Sequence, residues 1–125
     1  MIMDTNFLTA LAEGDALAVG TLDRRPAWVP AIVIGEYRAG LAQSAQRAQR
    51  TQWLDEGFES DDVILEVTRH TARHYADIWN ELRAIGRPIP QNDIWIAALA
   101  REHKMPIVSK DAHFDAVPGL KRLGW

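Results

Sequence analysis

The chain has 125 residues, enough for one domain with a core of its own, and we read residues 1–125 as a single unit. Its 47% apolar and 25% charged residues exclude disorder and low complexity, and the absence of cysteine excludes a disulfide scaffold, a zinc ribbon and a thiol nucleophile. A net charge of −3 provides no global field for a polyanion, although eleven of the fourteen cations are arginine, the residue suited to paired contacts with phosphate or carboxylate.

In chain order, Met1-Ile2-Met3 is a short apolar run that stops at Asp4 and reads as a brief buried strand. From Asn6 the apolar spacing becomes helical, with Phe7, Leu8, Leu11 and Leu17, and breaks are expected near Gly14 and Gly20. Ala27-Trp28-Val29 reads as a second strand closed by Pro30. Helices are expected over Ile32 to Leu41 and over Gln43 to Glu56, the latter anchored by Trp53 and Leu54. Val63-Ile64-Leu65 reads as a third strand. The segment Thr68 to Ile85 carries a helical stripe of Ala72, Tyr75, Ala76, Trp79 and Leu82, ended by Gly86 and kept ended by Pro88 and Pro90. A helix from Asn92 to His103 is apolar all round and therefore expected to be buried. Pro106-Ile107-Val108 is a fourth strand, and Leu120 to Leu123 a short fifth. Strands that alternate with helices argue for an α/β fold, a parallel sheet covered on both faces. No Gly-rich phosphate loop is present.

The longest run without a charged or strongly polar side chain, Ala27 to Gly35, is far short of the roughly 20 residues that span a bilayer. The opening Met1-Ile2-Met3-Asp4 lacks the basic region of a secretory signal. A soluble cytoplasmic protein without a membrane partner is the expectation.

Ligands of open α/β sheets bind beyond the carboxyl ends of the strands, and acids lie there. Asp4 follows the first strand and Asp111 the fourth; Glu36 sits on a helix face with Ile32, Val33, Ala39 and Gly40; Asp93 opens the apolar helix. Each has a structural use as well. Asp4 or Thr5 can cap the first helix. Asn92 and Asp93 can serve as a cap and a first-turn acid. Asp111 can be a turn residue, and a buried Glu36 can pair with an arginine. Together, however, four carboxylates near one sheet edge repel, and a divalent cation relieves that repulsion. Oxygen donors without cysteine point to Mg²⁺ or Mn²⁺ rather than zinc, and such sites act on phosphate esters. His70 and His74 have a spacing compatible with zinc but no third ligand, lie opposite the apolar stripe, and are expected to face solvent. The tryptophans at 28, 53, 79 and 95 are expected in the core. Arg38, Arg47, Arg50 and Lys110 are candidate phosphate contacts, each with a solvated face as the simpler reading.

These residues resemble a known family. Asp4-Thr5-Asn6 after a short apolar strand is similar to the opening of the PIN-domain nucleases, particularly the VapC-type ribonuclease toxins of bacterial toxin–antitoxin pairs. Ile34-Gly35-Glu36-Tyr37-Arg38-Ala39-Gly40 resembles their second acidic motif. The segment Pro88 to Ala98, whose Asp93 opens an Ile/Ala-rich helix, resembles the third, and Ile107-Val108-Ser109-Lys110-Asp111-Ala112-His113-Phe114 the fourth. The resemblance spans essentially the whole chain with motif order intact.

It implies a three-layer α/β/α PIN-like fold with four to five short parallel strands. It further implies a metal-dependent endoribonuclease, with Asp4, Glu36, Asp93 and Asp111 holding Mg²⁺, or Mn²⁺, that activates water. Asp4 and Asp93 would be the most direct ligands, with Asn6 and Ser109 orienting the carboxylates. Asp115, one turn beyond Asp111, could assist or replace it, but Asp111 follows Ser109 in the motif order and ranks first. A toxin role is implied, cutting structured RNA such as tRNA or rRNA, with a cognate antitoxin as partner and a homodimer as assembly. Two other readings remain open. One is a non-catalytic PIN-like binding or scaffold protein. The other is a phosphatase that works through an aspartyl-phosphate, which needs a second aspartate where this chain has Asn6.

Overall fold

The computed structural model describes residues 1–58 and 60–125. Among these residues, five two-residue parallel strands alternate with six α-helices. Strand β1 (Ile2–Met3) leads through α1 (Thr5–Ala12) and α2 (Ala16–Leu22) to β2 (Val29–Pro30). Helices α3 (Ala31–Leu41) and α4 (Arg47–Gly57) lead to β3 (Ile64–Leu65), and α5 (Arg69–Ala84) and α6 (Gln91–His103) return the chain to β4 (Ile107–Val108). A 3-10 turn, Ala112–Ala116, precedes β5 (Arg122–Leu123).

β1 pairs with β4 and β4 with β5, while β2 pairs with β3, all in parallel. Trp28 joins the two groups: its N–H donates to Met1 O at 2.9 Å and its carbonyl accepts from Met3 N–H at 2.8 Å. The resulting order is β3-β2-β1-β4-β5. The chain winds outward from β1 to β3, then crosses back to the other side of β1. With right-handed crossovers, the outward and return connections lay their helices on opposite faces, which gives the α/β/α sandwich. Ile2, Val29, Ile107 and Val108 are fully buried between those layers, as expected of strands covered on both faces.

The departures from the sequence reading have local causes. Gly14, with φ +73°, does end α1, and Asp15 caps α2 by accepting from Leu17 and Ala18 N–H, each at 2.9 Å. Gly20 breaks nothing and lies inside α2. Pro30 belongs to β2 and also caps α3; its φ of −62° suits both positions. Val63 is drawn out of β3 into a short turn capped by Ser60. Helix α4 starts at Arg47, not Gln43, because the Ser44 hydroxyl accepts the Gln46 N–H and holds a turn there.

The expected stripe on α5 is displaced. Thr71, Ile78 and Leu82 are buried and Tyr75 half-buried, whereas Ala72, Ala76 and Trp79 are exposed. The packed face is set by α6: Thr71 Oγ1 donates to Glu102 at 2.6 Å, and the Tyr75 ring stacks on Trp95 with centroids 4.0 Å apart. His70 is exposed as expected, but His74 lies toward the packed side and is half-buried. Helix α6 fulfils its expectation, with Ile94 and Ile96 to Ala100 all buried. No helix among the described residues is long and apolar enough to cross a membrane.

Candidate active site

The strand order reverses between β1 and β4, and an α/β sheet opens a crevice at the carboxyl ends of such a pair. Asp4 directly follows β1 and Ser109 directly follows β4. Ladder bonds continue to both residues: Asp4 N–H donates to Val108 O at 3.3 Å, and Ser109 N–H to Leu123 O at 2.9 Å. The backbone therefore holds them as firmly as the sheet itself.

Asp4 is only 5% exposed. Its Oδ1 accepts from Thr5 N–H at 2.7 Å, which makes it the N-cap of α1, and its Oδ2 accepts from Asn6 Nδ2 at 2.7 Å and Ser109 Oγ at 2.6 Å. Capping and site geometry coincide in one side chain. Asn6 and Ser109 also bond each other at 3.1 Å, and the Ser109 hydroxyl accepts Asp111 N–H at 2.9 Å. Burial pushes the Asp4 carboxyl above its ordinary range; the Ser109 and Thr5 bonds oppose that, and the charges of Glu36 and Asp111 add to it.

Glu36 projects from α3, half-buried. No arginine holds it. Its carboxylate accepts from Thr5 Oγ1 and, at 2.7 Å, from Asn92 Nδ2. Thr5 and Asn92 thus serve as clamps rather than helix caps, roles that only the approach of α1, α3 and α6 creates. Asp93 stands in the first turn of α6, where the helix dipole favours an anion. Its pKa is nevertheless pushed up to about 6, first by burial and then by the charges of Asp4 and Asp111, with His113 opposing. Asp111 caps the 3-10 turn by accepting His113 N–H at 2.9 Å.

His113 is the residue that sequence reasoning missed. Its Nδ1 lies 3.2 Å from Asp93 Oδ2 and 3.2 Å from Asp111 Oδ1. Asp93, Asp111 and His113 each offer one donor atom, all within 4.8 Å of one another. The only advance signal was the local Asp111-Ala112-His113 spacing; the third member comes from a helix twenty residues upstream.

Asp115 points elsewhere. Arg122 grips it through two bonds of 2.7 Å, holding its carboxyl below the usual range, so Asp111 is the acid facing Asp93. Among the candidate cations, Arg38 is taken by Asp55, while Lys110 Nζ lies 4.3 Å from the centroid of the Trp125 ring at the groove's edge. Arg50 lines a hollow of about 270 Å³ that adjoins the groove at Thr5, Thr9, Glu13 and Glu36.

All four acids line one open groove of about 600 Å³. Among the described residues, none of them pairs with a lysine or arginine. Carboxylates drawn from four elements, with no covalent counter-charge, fit a hard divalent cation by the chemistry of the donor set. Fold and site together define a parallel α/β protein with a cluster of carboxylates at its switch point.

Comparison with known proteins narrows this class. The sequence profile of the PIN domain matches residues 1–120. Ribonuclease VapC5 of Mycobacterium tuberculosis is 31% identical over 121 residues, covering 94% of this chain and 87% of that protein. VapBC2 from Rickettsia felis, solved bound to a DNA fragment from its promoter, superimposes with a TM-score of 0.88 at 21% identity, over 99% of this chain and 97% of that one. VapBC-5 from Mycobacterium tuberculosis, a member of the VapBC family of toxin-antitoxin systems, gives a TM-score of 0.66 at 28% identity, over 78% of this chain and 79% of that one. The chain belongs to the PIN domain family, in its VapC branch.

Proposed function

We propose that this chain is a divalent-metal-dependent endoribonuclease and the toxin of a toxin–antitoxin pair, acting in the cytoplasm as one PIN-like domain over residues 1–125. The observation that carries the reading is the convergence of Asp4, Glu36, Asp93 and Asp111 in a single groove without a lysine or arginine partner. Mg²⁺ or Mn²⁺, when bound, supplies a Lewis acid that lowers the pKa of water and offsets charge on the phosphate in the transition state.

This chain's own residues prepare the site. Asp4, Glu36, Asp93 and Asp111 provide the oxygen donors. Ser109 and Asn6 fix the Asp4 carboxylate, and Thr5 and Asn92 fix Glu36, so neither must be ordered when the cation and substrate arrive. The open groove admits a polymer strand rather than enclosing a small molecule. Lys110 at its edge is placed to meet a phosphate of that strand.

The substrate is structured RNA of the tRNA or rRNA kind, and hydrolysis leaves a 5′-phosphate. A cognate antitoxin covers the acidic groove, and the toxin acts as a homodimer. The partner reading is supported by the solved VapBC assemblies that this chain resembles.

Incubation of total RNA with the purified, antitoxin-free protein tests the activity, with Mg²⁺, with EDTA, and with Asp93→Asn as control. Discrete fragments that require both the metal and Asp93 are expected. Fragments ending in 2′,3′-cyclic phosphate would refute the hydrolytic route. Intact RNA, with the protein folded and metal-loaded, would favour the non-catalytic binding role.

A further inference from the structure

We infer that His113 is a nitrogen ligand of the cation held by Asp93 and Asp111, which makes this a mixed oxygen and nitrogen site that favours Mn²⁺ and later first-row metals over Mg²⁺. The inference rests on the metal-site reading above and goes beyond its all-carboxylate donor set.

Three observations place the imidazole there. First, Nδ1 is equidistant from the two carboxylates, 3.2 Å from Asp93 Oδ2 and 3.2 Å from Asp111 Oδ1. The three donor atoms lie close enough together for one cation to reach all of them. Second, the backbone fixes this approach. The Asp111 carboxylate accepts the His113 N–H at 2.9 Å, and the turn it caps is anchored by fully buried Phe114. Third, the other two acids are oriented by groups of their own: three protein donors hold Asp4, and Thr5 and Asn92 hold Glu36. Asp93 and Asp111 are oriented toward His113, whose Nδ1 lies 3.2 Å from an oxygen of each.

Donor chemistry then sets the preference. Carboxylate oxygens suit Mg²⁺, which is hard and keeps its waters. An imidazole nitrogen adds little for Mg²⁺ but strengthens binding of Mn²⁺, Fe²⁺ or Co²⁺. A neutral ligand also adds no charge to a site that is already crowded with carboxylates.

The test uses the full chain, stripped of metal with a chelator. Mn²⁺ and Mg²⁺ are titrated calorimetrically into wild type and His113→Ala, with a thermal melt of each metal-free protein as the folding control. Pulsed EPR of the Mn²⁺-loaded proteins reads nitrogen coupling to the ion directly. Expected are nitrogen coupling in wild type that vanishes in His113→Ala, Mn²⁺ affinity lower by about tenfold or more in the variant, and Mg²⁺ affinity changed far less. Should His113→Ala melt early, His113→Gln gives the same comparison with a side chain closer in length. Bound Mn²⁺ without nitrogen coupling in wild type, or coupling that survives in the variant, would overturn the inference while leaving the carboxylate site intact. Failure of wild type to bind Mn²⁺ at all would instead overturn the metal-site reading on which it rests.

Discussion

Ser109 shows how much of the site hangs on one hydroxyl. It is completely buried, donates to Asp4, and accepts from both Asn6 and the Asp111 amide. Ser109→Ala removes a donor from a buried carboxylate and leaves the Asp111 N–H without its acceptor. Urea unfolding should show a loss of about 1–3 kcal/mol. Metal titration should show affinity weakened by about tenfold or more, because Asp4 and Asp111 lose their common reference point. Asp115 offers the contrast. Its carboxylate is bound to Arg122 and turned from the groove, so Asp115→Asn should leave metal affinity and RNA cleavage unchanged. Asp111→Asn should weaken metal binding by about tenfold or more. Equal losses in the two variants would show that the turn after β4 acts as a unit, not through Asp111 alone.

At the scale of elements, α5 and α6 are tied by a polar contact that a hydrophobic pattern cannot reveal. Thr71 is fully buried, receives the Thr68 N–H at 3.0 Å within a capping box, and donates to Glu102 at 2.6 Å. Thr71→Val keeps the shape and strips the hydroxyl. It should cost about 1–3 kcal/mol in denaturant unfolding, without changing metal affinity, since Glu102 lies outside the groove. The same residue explains why the sequence misled on this helix. A threonine does not register as core, so the apolar pattern runs through Ala72, Ala76 and Trp79, all of which face solvent.

Strands and the four acids were legible for the opposite reason. Each acid adjoins a strong local signal: an apolar triplet before Asp4, the run Ala31 to Gly35 before Glu36, an apolar helix after Asp93, and the run Ile107-Val108-Ser109 before Asp111. The clamps were not legible. Thr5 and Asn92 meet Glu36, and His113 meets Asp93, only because helices distant in sequence pack side by side. No spacing rule encodes that approach.

The whole molecule carries the cost of its site as a balance among charge, pH and cation. Asp93 has an ordinary pKa of 3.8 in the unfolded chain and about 6 in the folded one. Between those values the unfolded state binds fewer protons than the native state, so stability falls as pH rises from about 4 to about 6 and levels off above. One pKa unit corresponds to about 1.4 kcal/mol. Solvent in the open groove screens part of this, leaving an expected loss of about 1–2 kcal/mol, or roughly 5 °C in Tm. Asp4, also raised by burial, acts in the same direction. The metal-free chain should therefore melt higher at pH 5 than at pH 7.5. Asp93→Asn should remove most of that difference by raising the melt at pH 7.5.

A divalent cation reverses the order. It binds the folded state alone and stabilises by mass action, and it binds deprotonated carboxylates, so its affinity grows as pH rises through about 6 and levels off above. Millimolar Mn²⁺ should raise the wild-type melt at pH 7.5 and do little at pH 5, while Asp93→Asn should gain little at either pH. Thermal melts at two pH values, with and without Mn²⁺, on these two proteins check every arm. A wild-type melt that rises with pH in the absence of metal would mean that the groove's charges are neutralised by something other than a cation.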